Sequence, residues 1–335
     1  MSAFVVAEAG VNHNGSTELA IRLVEVAADA GADAVKFQTF RAEALATAGA
    51  GKAAYQERTT GPGSQLAMLK SLELDADAHR ALLQHCAERG IEFMSSPFDP
   101  ESLDLLVRLG VRRLKLGSGE LTNGPLLKRA AESGLPLIVS TGMATLDEVA
   151  DALALLRRAG ALDITLLQCT TEYPASPADA NLRAMATLRD RFGVRVGYSD
   201  HTTGTAVAVG AVALGAAVIE KHFTLDRSMP GPDHEASLEP RELAELVAAI
   251  RSVESALGDG AKRPMEAELA NRSIARRSLV AAVGIRRGEM FSEQNVAAKR
   301  PGTGISPMRH WDLIGVPASR DYSPDDLIDP AELIR

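Results

Sequence analysis

Aromatic residues and cysteine are both scarce in this sequence. Phe, Trp and Tyr make up 4% of the 335 residues, so a buried core has to be built from Ala, Val, Leu and Ile. The two cysteines, Cys86 and Cys169, share no spacing that is typical of a disulfide framework or a zinc site. These shortages exclude a small disulfide-stabilised scaffold and a cysteine-based zinc module.

Long apolar runs are missing as well. No run approaches the roughly 20 residues that a membrane-spanning helix needs. The first residues, MSAFVVAEAG, carry neither the basic segment nor the long apolar segment of a secretory signal. We therefore expect no membrane span and a cytoplasmic location.

Basic residues are outnumbered by acidic ones, with 36 Lys and Arg against 44 Asp and Glu. The formal net charge of −8 argues against nucleic acid or an anionic membrane as the main partner, because both require basic surfaces. An anionic small molecule would have to be held by a few local cations.

Short apolar runs alternate with helical patterns along residues 1–258, in eight strand-and-helix pairs. Continuous apolar strands separated by helices favour parallel pairing with both faces covered. Eight such pairs predict a (β/α)8 TIM barrel, with Ser16, Asp99 and Thr145 as N-caps of three of its helices. A doubly wound sheet is the alternative, but no Gly-x-Gly-x-x-Gly motif follows the first strand.

The remaining residues divide into two segments. Residues 259–275 predict a linker with a short helical stretch. Residues 276–335 contain short alternating runs with Gly and Pro turns, which predict a small β-rich domain. The predicted fold class is therefore α/β, a (β/α)8 barrel followed by a small β-rich domain.

Polar side chains concentrate where the predicted strands end. In a (β/α)8 barrel these carboxyl ends form the active-site face. Burying unpaired polar groups costs on the order of 1–3 kcal/mol each, so we expect a ligand or metal to satisfy them. Along the chain, the strand-end residues are Glu8, Lys36, Gln38, Ser95, Ser96, Lys115, Ser118, Glu120, Ser140, Thr141, Gln168, Thr170, Thr171, Ser199, Asp200, His201, Glu220 and His222.

Two histidines, His201 and His222, end the adjacent predicted strands seven and eight. Neutral imidazoles held close together by a scaffold form a site for a divalent cation. The alternative, for either histidine taken alone, is an ordinary buried or surface residue whose hydrogen bonds are satisfied.

Two lysines, Lys36 and Lys115, occupy strand ends of this acidic protein. Together with the serines of neighbouring strand ends they predict a cradle for a phosphate or a carboxylate. The alternatives are pairing with a barrel glutamate such as Glu8 or Glu120, or a Schiff-base role for one lysine. Glu120 is a candidate general acid or base, with a salt bridge as its alternative.

Several motifs together resemble the sialic acid synthases, the bacterial enzymes that make N-acetylneuraminate, legionaminate and related nonulosonates. The matching motifs run in order from about Phe4 to Tyr322, and the tail resembles the C-terminal antifreeze-like (SAF) domain of that family. The motifs are AEAGVNHNGS, GADAVKFQTF, SSPFD, KLGSGELTNGPLL, VSTGMAT, LLQCTTEYP, VGYSDHTTG, VIEKHFTLD and GPDH, followed by ARRSLVA and KRPGTGISP in the tail.

The resemblance implies a transferase that condenses phosphoenolpyruvate with the open-chain aldehyde of an N-acylated mannosamine-type sugar and releases phosphate. It implies Mn²⁺ or Mg²⁺ at His201 and His222. For proton transfer, the residues favour Glu120 first and Glu8 second. The phosphoenolpyruvate site would be Lys36, Ser96, Lys115, Ser118, Ser140, Thr171 and Ser199. The sugar would be held by Glu8, Gln38, Tyr173 and Asp233.

The same resemblance implies a partner subunit. Arg300, within KRPGTG, would reach the N-acyl group of the sugar from the SAF domain of that partner. The expected assembly is a domain-swapped homodimer, and the other expected partners are the two small-molecule substrates.

The identity of the sugar stays open. The product is N-acetylneuraminate or a close analogue; the alternative is N,N′-diacetyllegionaminate, made from 2,4-diacetamido-2,4,6-trideoxymannose. A pyruvate-dependent lyase with a lysine imine is a remote alternative, because predicted strand six carries Gln168 and no lysine. A non-enzymatic role, with the tail as an ice- or sugar-binding surface, is opposed by the ring of polar strand ends.

Overall fold

Parallel strands form a barrel in the first part of the chain. The computed structural model describes residues 2–334, in which the boundary between two compact units falls between Gly258 and Asp259. The strands of the first unit are β1 (Phe4–Gly10), β2 (Ala34–Thr39), β3 (Glu92–Pro97), β4 (Leu114–Leu116), β5 (Leu137–Ser140), β6 (Ile164–Cys169), β7 (Arg195–Asp200) and β8 (Val218–His222). They pair in parallel in the order β3-β2-β1-β8-β7-β6-β5-β4, and β3 lies beside β4. The predicted barrel is confirmed.

Helices follow the strands along the chain and cover the barrel. They are α1 (Thr17–Asp29), α2 (Ala42–Leu45), α3 (Ala54–Thr60), α4 (Gln65–Lys70), α5 (Ala76–Arg89), α6 (Pro100–Leu109), α7 (Gly124–Glu132), α8 (Leu146–Arg158), α9 (Ala184–Phe192), α10 (Ala206–Ala213) and α11 (Pro240–Leu257). Within residues 2–334, no helix combines the length and apolar character needed to cross a bilayer. The cytoplasmic location stays a prediction.

Side-chain caps explain where several helices begin. The side-chain oxygens of Ser16, Asp99 and Thr145 each accept a hydrogen bond from a backbone N–H in the first turn of α1, α6 and α8. Such caps satisfy donors that have no partner inside the helix. All three N-caps agree with the sequence-based expectation.

Two apolar layers lie on opposite sides of the strands. Outward-facing residues such as Phe37 and Tyr198 pack against the helices. The barrel interior is filled by Val6, Ala34, Met94, Ile138, Leu167 and Val218. This interior is tight, because a Cβ added at Gly197 would lie 2.3 Å from the carbonyl oxygen of Val218. The inner layer forms the floor beneath the carboxyl ends of the strands.

The second unit contains α12 (Glu266–Ala275), β9 (Ser278–Ala281), β10 (Val296–Lys299) and α13 (His310–Leu313). β9 and β10 pair antiparallel, and single bridges join further segments, such as Ile285 to Tyr322. Its core includes Leu279, Phe291 and Ile328. The second unit therefore contains less regular β-strand than the prediction of a β-rich domain implies. The predicted linker contributes α12, whose residues are exposed throughout.

A buried histidine on α5 is connected to the barrel strands by a chain of hydrogen bonds. His79 Nδ1 lies 2.8 Å from the carbonyl oxygen of Asp75, so this nitrogen carries the proton and donates. His79 Nε2 therefore accepts from Thr39 Oγ1 at 2.7 Å, and Thr39 in turn accepts from Ser95 Oγ at 2.6 Å. Burial lowers the pKa of His79, so the folded protein keeps this ring neutral.

We expect the free energy of unfolding to fall as the pH drops from 7 to 5, with His79 responsible for part of the fall. Its folded-state pKa is below the ordinary value of about 6.5, so the unfolded chain takes up a proton that the folded protein does not. The substitution His79→Gln should reduce this pH dependence, while costing about 1–3 kcal/mol at pH 7 through disrupted hydrogen bonds. Urea denaturation at both pH values measures the effect.

His85→Gln is the matched control, because His85 lies on the same helix with its side chain 23% exposed. This variant should keep the pH dependence of the unaltered protein. Burial also lowers the pKa of His13 and His234 to about 4, so a residual dependence should persist in His79→Gln. An undiminished dependence in His79→Gln would contradict the assignment.

Candidate active site

A cavity of about 150 Å³ lies at the carboxyl ends of the barrel strands. Alternate residues of a strand face the same side, so residues two positions beyond the apolar floor form the wall, as Glu220 does beyond Val218. The wall brings together these residues predicted from the sequence: Glu8, Lys36, Gln38, Ser96, Lys115, Ser118, Ser140, Thr171, Tyr173, Ser199, His201 and His222.

Two lysines and two glutamates form a buried network in this wall. Lys36 Nζ lies 2.8 Å from Glu8 Oε2, 3.0 Å from Ser96 Oγ and 3.6 Å from Glu220 Oε2. Lys115 Nζ lies 3.5 Å from Glu220 Oε1. The four charged side chains are at most 7% exposed, so their charges have to be balanced locally.

The two carboxylates of this network differ in proton affinity. Burial opposes ionisation of Glu220, but Lys115 and Lys36 outweigh it and lower the pKa of this carboxyl. Burial raises the pKa of Glu8, although Lys36 opposes the shift. Glu220 is therefore the ionised partner that the lysines share, and Glu8 is the better proton carrier.

The structure decides between the pairing alternatives for the lysines. Lys36 pairs with Glu8, which was one of the predicted alternatives. Lys115 pairs with Glu220 rather than with Glu120. The sequence analysis includes Glu220 among the strand-end residues but gives it no function. Its place in the cavity wall could have been predicted, because Glu220 precedes His222 by two residues and strand alternation puts both on the inward face.

The rings of His201 and His222 lie with their centroids 5.6 Å apart. His201 Nδ1 donates to the carbonyl oxygen of Thr170 at 2.6 Å, so its Nε2 keeps a lone pair. His222 Nδ1 is buried and has no hydrogen-bond partner among residues 2–334. Burial lowers the pKa of both histidines, so both rings are neutral.

Two neutral imidazoles with nitrogen lone pairs fit a divalent cation. In the part of the chain that the structure describes, no three His, Cys, Asp or Glu side chains are grouped to hold a metal. A cation at His201 and His222 would therefore take its other ligands from water or substrate oxygen.

Unsatisfied hydroxyl groups border the lysines. Ser140 Oγ and Thr171 Oγ1 are buried and find no hydrogen-bond partner within residues 2–334. The backbone N–H of Gly142 donates to Ser118 Oγ at 3.0 Å. A Cβ added at Gly142 would lie 2.3 Å from Thr171 Oγ1, so the glycine keeps this corner open. Buried hydroxyls without partners beside two lysines indicate an anion site.

Aromatic rings lie beside the two histidines. The ring of Tyr173 lies 4.2 Å from that of His201 and 5.6 Å from that of His222, measured between centroids. Tyr55, in α3, lies 5.3 Å from Tyr173. Burial, reinforced by the carboxylate of Asp233, raises the pKa of both phenols. Tyr55 has no predicted role, because nothing in the sequence shows that the segment between β2 and α5 reaches this place.

Three predicted site residues are not part of the cavity wall. Glu120 ends a short 3-10 helix (Ser118–Glu120) and accepts from Asn123 Nδ2 at 2.6 Å. Asp233 is buried, which raises the pKa of its carboxyl to about 6. Arg300 belongs to the second unit, where its Nε donates to the carbonyl oxygen of Ala275 at 3.1 Å. The roles of these residues stay predictions.

Comparison with known proteins connects this geometry to a family. Residues 23–262 match the NeuB family, and residues 276–334 match the SAF domain. The chain is 52% identical over 327 residues to the N,N′-diacetyllegionaminic acid synthase of Campylobacter jejuni, covering 97% of this chain and 98% of that one. It is 48% identical to the synthase of the same name from Legionella pneumophila, covering 96% and 92%.

A solved structure agrees. The crystal structure of N-acetylneuraminic acid synthetase from Leptospira borgpetersenii, in complex with citrate, superposes with a TM-score of 0.72 at 36% identity. The match covers 81% of this chain and 90% of that one. Sequence and structure together show that this chain is a member of the NeuB family with a C-terminal SAF domain.

Proposed function

We propose that this chain is a nonulosonic acid synthase, a transferase that condenses phosphoenolpyruvate with the open-chain aldehyde of an N-acylated mannosamine-type sugar. The observation that carries the proposal is the cavity itself, in which two buried lysines and unpaired hydroxyls adjoin two neutral imidazoles. Membership of the NeuB family and the names of its relatives support the same reaction.

Phosphoenolpyruvate suits the anion site because it carries a carboxylate and a phosphate. The ammonium groups of Lys36 and Lys115 would attract both groups, and the hydroxyls of Ser140 and Thr171 would donate to their oxygens. In a buried site such fixed donors stabilise charge more strongly than water does. We assign the anion site to Lys36, Ser96, Lys115, Ser118, Ser140, Thr171 and Ser199.

The reaction proceeds by attack of C3 of phosphoenolpyruvate on the aldehyde carbon, which forms the new carbon–carbon bond. The aldehyde oxygen takes up a proton, and water adds at C2 of the former phosphoenolpyruvate. The hydroxyl of the resulting phosphate hemiketal gives up its proton to form the ketone as the bond between C2 and the phosphate oxygen breaks, and the departing phosphate takes up a proton. The products are a 2-keto acid and inorganic phosphate.

Glu8 is the residue we assign to proton transfer in this sequence of steps. Its carboxyl is in the wall, and its raised pKa lets it hold and release a proton. Glu120 has a pKa raised by burial too, but its side chain bonds Asn123 and is not part of the wall. We therefore place Glu8 before Glu120 for this role.

A divalent cation at His201 and His222 would supply Lewis-acid polarisation of the aldehyde oxygen. The protein's own part is to hold the rings neutral and oriented. His201 is oriented by its hydrogen bond to Thr170, and Tyr173 packs on its face. Such orientation of a ligand by its neighbours strengthens metal binding.

The sugar would lie above the anion site, against Gln38 and Tyr173. Gln38 Nε2 lies 3.5 Å from Glu8 Oε1, so both side chains face the same part of the cavity. Asp233 and, in a domain-swapped homodimer, Arg300 from the partner subunit complete the proposed sugar site. Two relatives that align along nearly the whole chain are diacetyllegionaminic acid synthases, so we favour 2,4-diacetamido-2,4,6-trideoxymannose over N-acetylmannosamine.

Phosphate release should require both substrates, and EDTA should abolish it. With phosphoenolpyruvate held constant, kcat/KM should be at least about tenfold higher for the 2,4-diacetamido sugar, because a site that hydrogen-bonds a group discriminates against its absence. Inorganic phosphate measured for each sugar tests both points.

No phosphate release with either sugar would contradict the synthase assignment. Higher kcat/KM for N-acetylmannosamine would replace the favoured sugar by its alternative. Full activity in EDTA would contradict the metal site while leaving the condensation intact.

The substitution Gly142→Ala should raise the KM for phosphoenolpyruvate at least about tenfold, since the new methyl group would crowd the hydroxyls of Thr171 and Ser118. The KM for the sugar should change less. Initial rates with each substrate varied in turn measure the two constants.

Gly117→Ala is the control for this substitution. Gly117 lines the same cavity, but its added Cβ would meet the ring of Phe98 at an ordinary 3.7 Å. An equal rise of the KM for phosphoenolpyruvate in both variants would contradict the proposal that the anion binds beside Thr171 and Ser118.

A further inference from the structure

A buried ion pair lies on the outer side of the barrel, behind the two histidines. Lys221 Nζ lies 2.8 Å from Asp200 Oδ2, and the two side chains are 1% and 0% exposed. They are opposite each other in the pairing of β7 with β8. Strand alternation turns both side chains outward, whereas His201 and His222 face the cavity.

Thr202 completes a closed set of hydrogen bonds with this pair. Asp200 Oδ1 accepts from the backbone N–H of Thr202 at 2.9 Å and from its Oγ1 at 2.8 Å. Lys221 Nζ donates to the carbonyl oxygen of Thr202. The residues on both sides of His201 are therefore bonded to the residue that immediately precedes His222.

Stability alone does not explain charged groups at these positions. Neighbouring outward residues of the same strands, Tyr198 and Ile219, carry no charge and pack in the core. Replacing a buried ion pair by apolar residues of similar size is often neutral or stabilising. A role in positioning the backbone explains why the charged pair makes all of these hydrogen bonds to Thr202.

We propose that Asp200, Thr202 and Lys221 form an outer clamp that sets the separation and orientation of His201 and His222 and thereby the affinity of the two rings for a divalent cation. These are positioning residues, since none of them lines the cavity. The inference rests on the proposed metal site. Residues that orient metal ligands typically change metal affinity 10- to 100-fold when they are replaced.

The test measures Mn²⁺ binding by the full-length protein without substrates, from the electron paramagnetic resonance signal of free Mn²⁺. The variants are Lys221→Met and the double variant Asp200→Leu with Lys221→Met. The single variant leaves a buried carboxylate without its partner, so its urea midpoint should fall. The double variant should recover much of that midpoint, yet both should bind Mn²⁺ about 10- to 100-fold more weakly than the unaltered protein.

The control removes a less buried ion pair at the opposite, amino-terminal end of the barrel strands, where the Arg113 and Glu92 side chains are 29% and 9% exposed. Arg113 bonds Glu92 through two contacts of 2.7 and 3.0 Å, where β3 begins and just before β4. The double variant Glu92→Leu with Arg113→Met should keep the Mn²⁺ affinity of the unaltered protein, whatever its urea midpoint.

Two results would overturn the outer clamp alone: unchanged Mn²⁺ affinity in the Asp200 and Lys221 double variant, or an equal loss in the control. The double variant keeps the test decisive if Lys221→Met does not fold. Absence of Mn²⁺ binding by the unaltered protein would overturn the proposed metal site, and this inference with it.

Discussion

Two ammonium groups buried between two carboxylates are the interaction on which the rest of this structure depends. Lys36 and Lys115 are taken out of water by the barrel wall, and Glu8 and Glu220 balance them. Buried ions that lack a partner are strongly destabilising, so the four groups have to stay together. Lys36 has a close carboxylate partner in Glu8, whereas Lys115 has only Glu220, at 3.5 Å, and shares it with Lys36. This arrangement leaves the lysines available to an anion.

Much of the fold and of the cavity could be predicted from the sequence, because both follow from periodicity. Apolar strands, capped helices and eight repeats specify a parallel barrel, and the barrel brings its strand ends to one place. The positions of individual side chains could not be predicted where they do not depend on periodicity. Glu120 lies outside the wall because the short helix that begins at Ser118 turns the chain away from the strand direction. Tyr55 reaches Tyr173 from a distant segment, which only the folded chain reveals.

The inward and outward faces of a strand end have different functions. The position of a polar residue at a strand end does not by itself show which face it occupies. Glu220 and His222 face the cavity, whereas Lys221 between them faces the helices and bonds Asp200. The second unit shows a similar limit, since alternating runs predict strands but single bridges hold much of its core. In both cases the sequence shows which residues are polar and which are apolar, but only the folded structure shows what each side chain contacts.

The most direct test of the account is a crystal structure of the protein grown with phosphoenolpyruvate. Phosphoenolpyruvate should lie at the barrel mouth, with its anionic groups on Lys36 and Lys115 and its oxygens accepting from Ser140 and Thr171. Phosphoenolpyruvate bound elsewhere, with the hydroxyls of Ser140 and Thr171 still unpartnered, would contradict it.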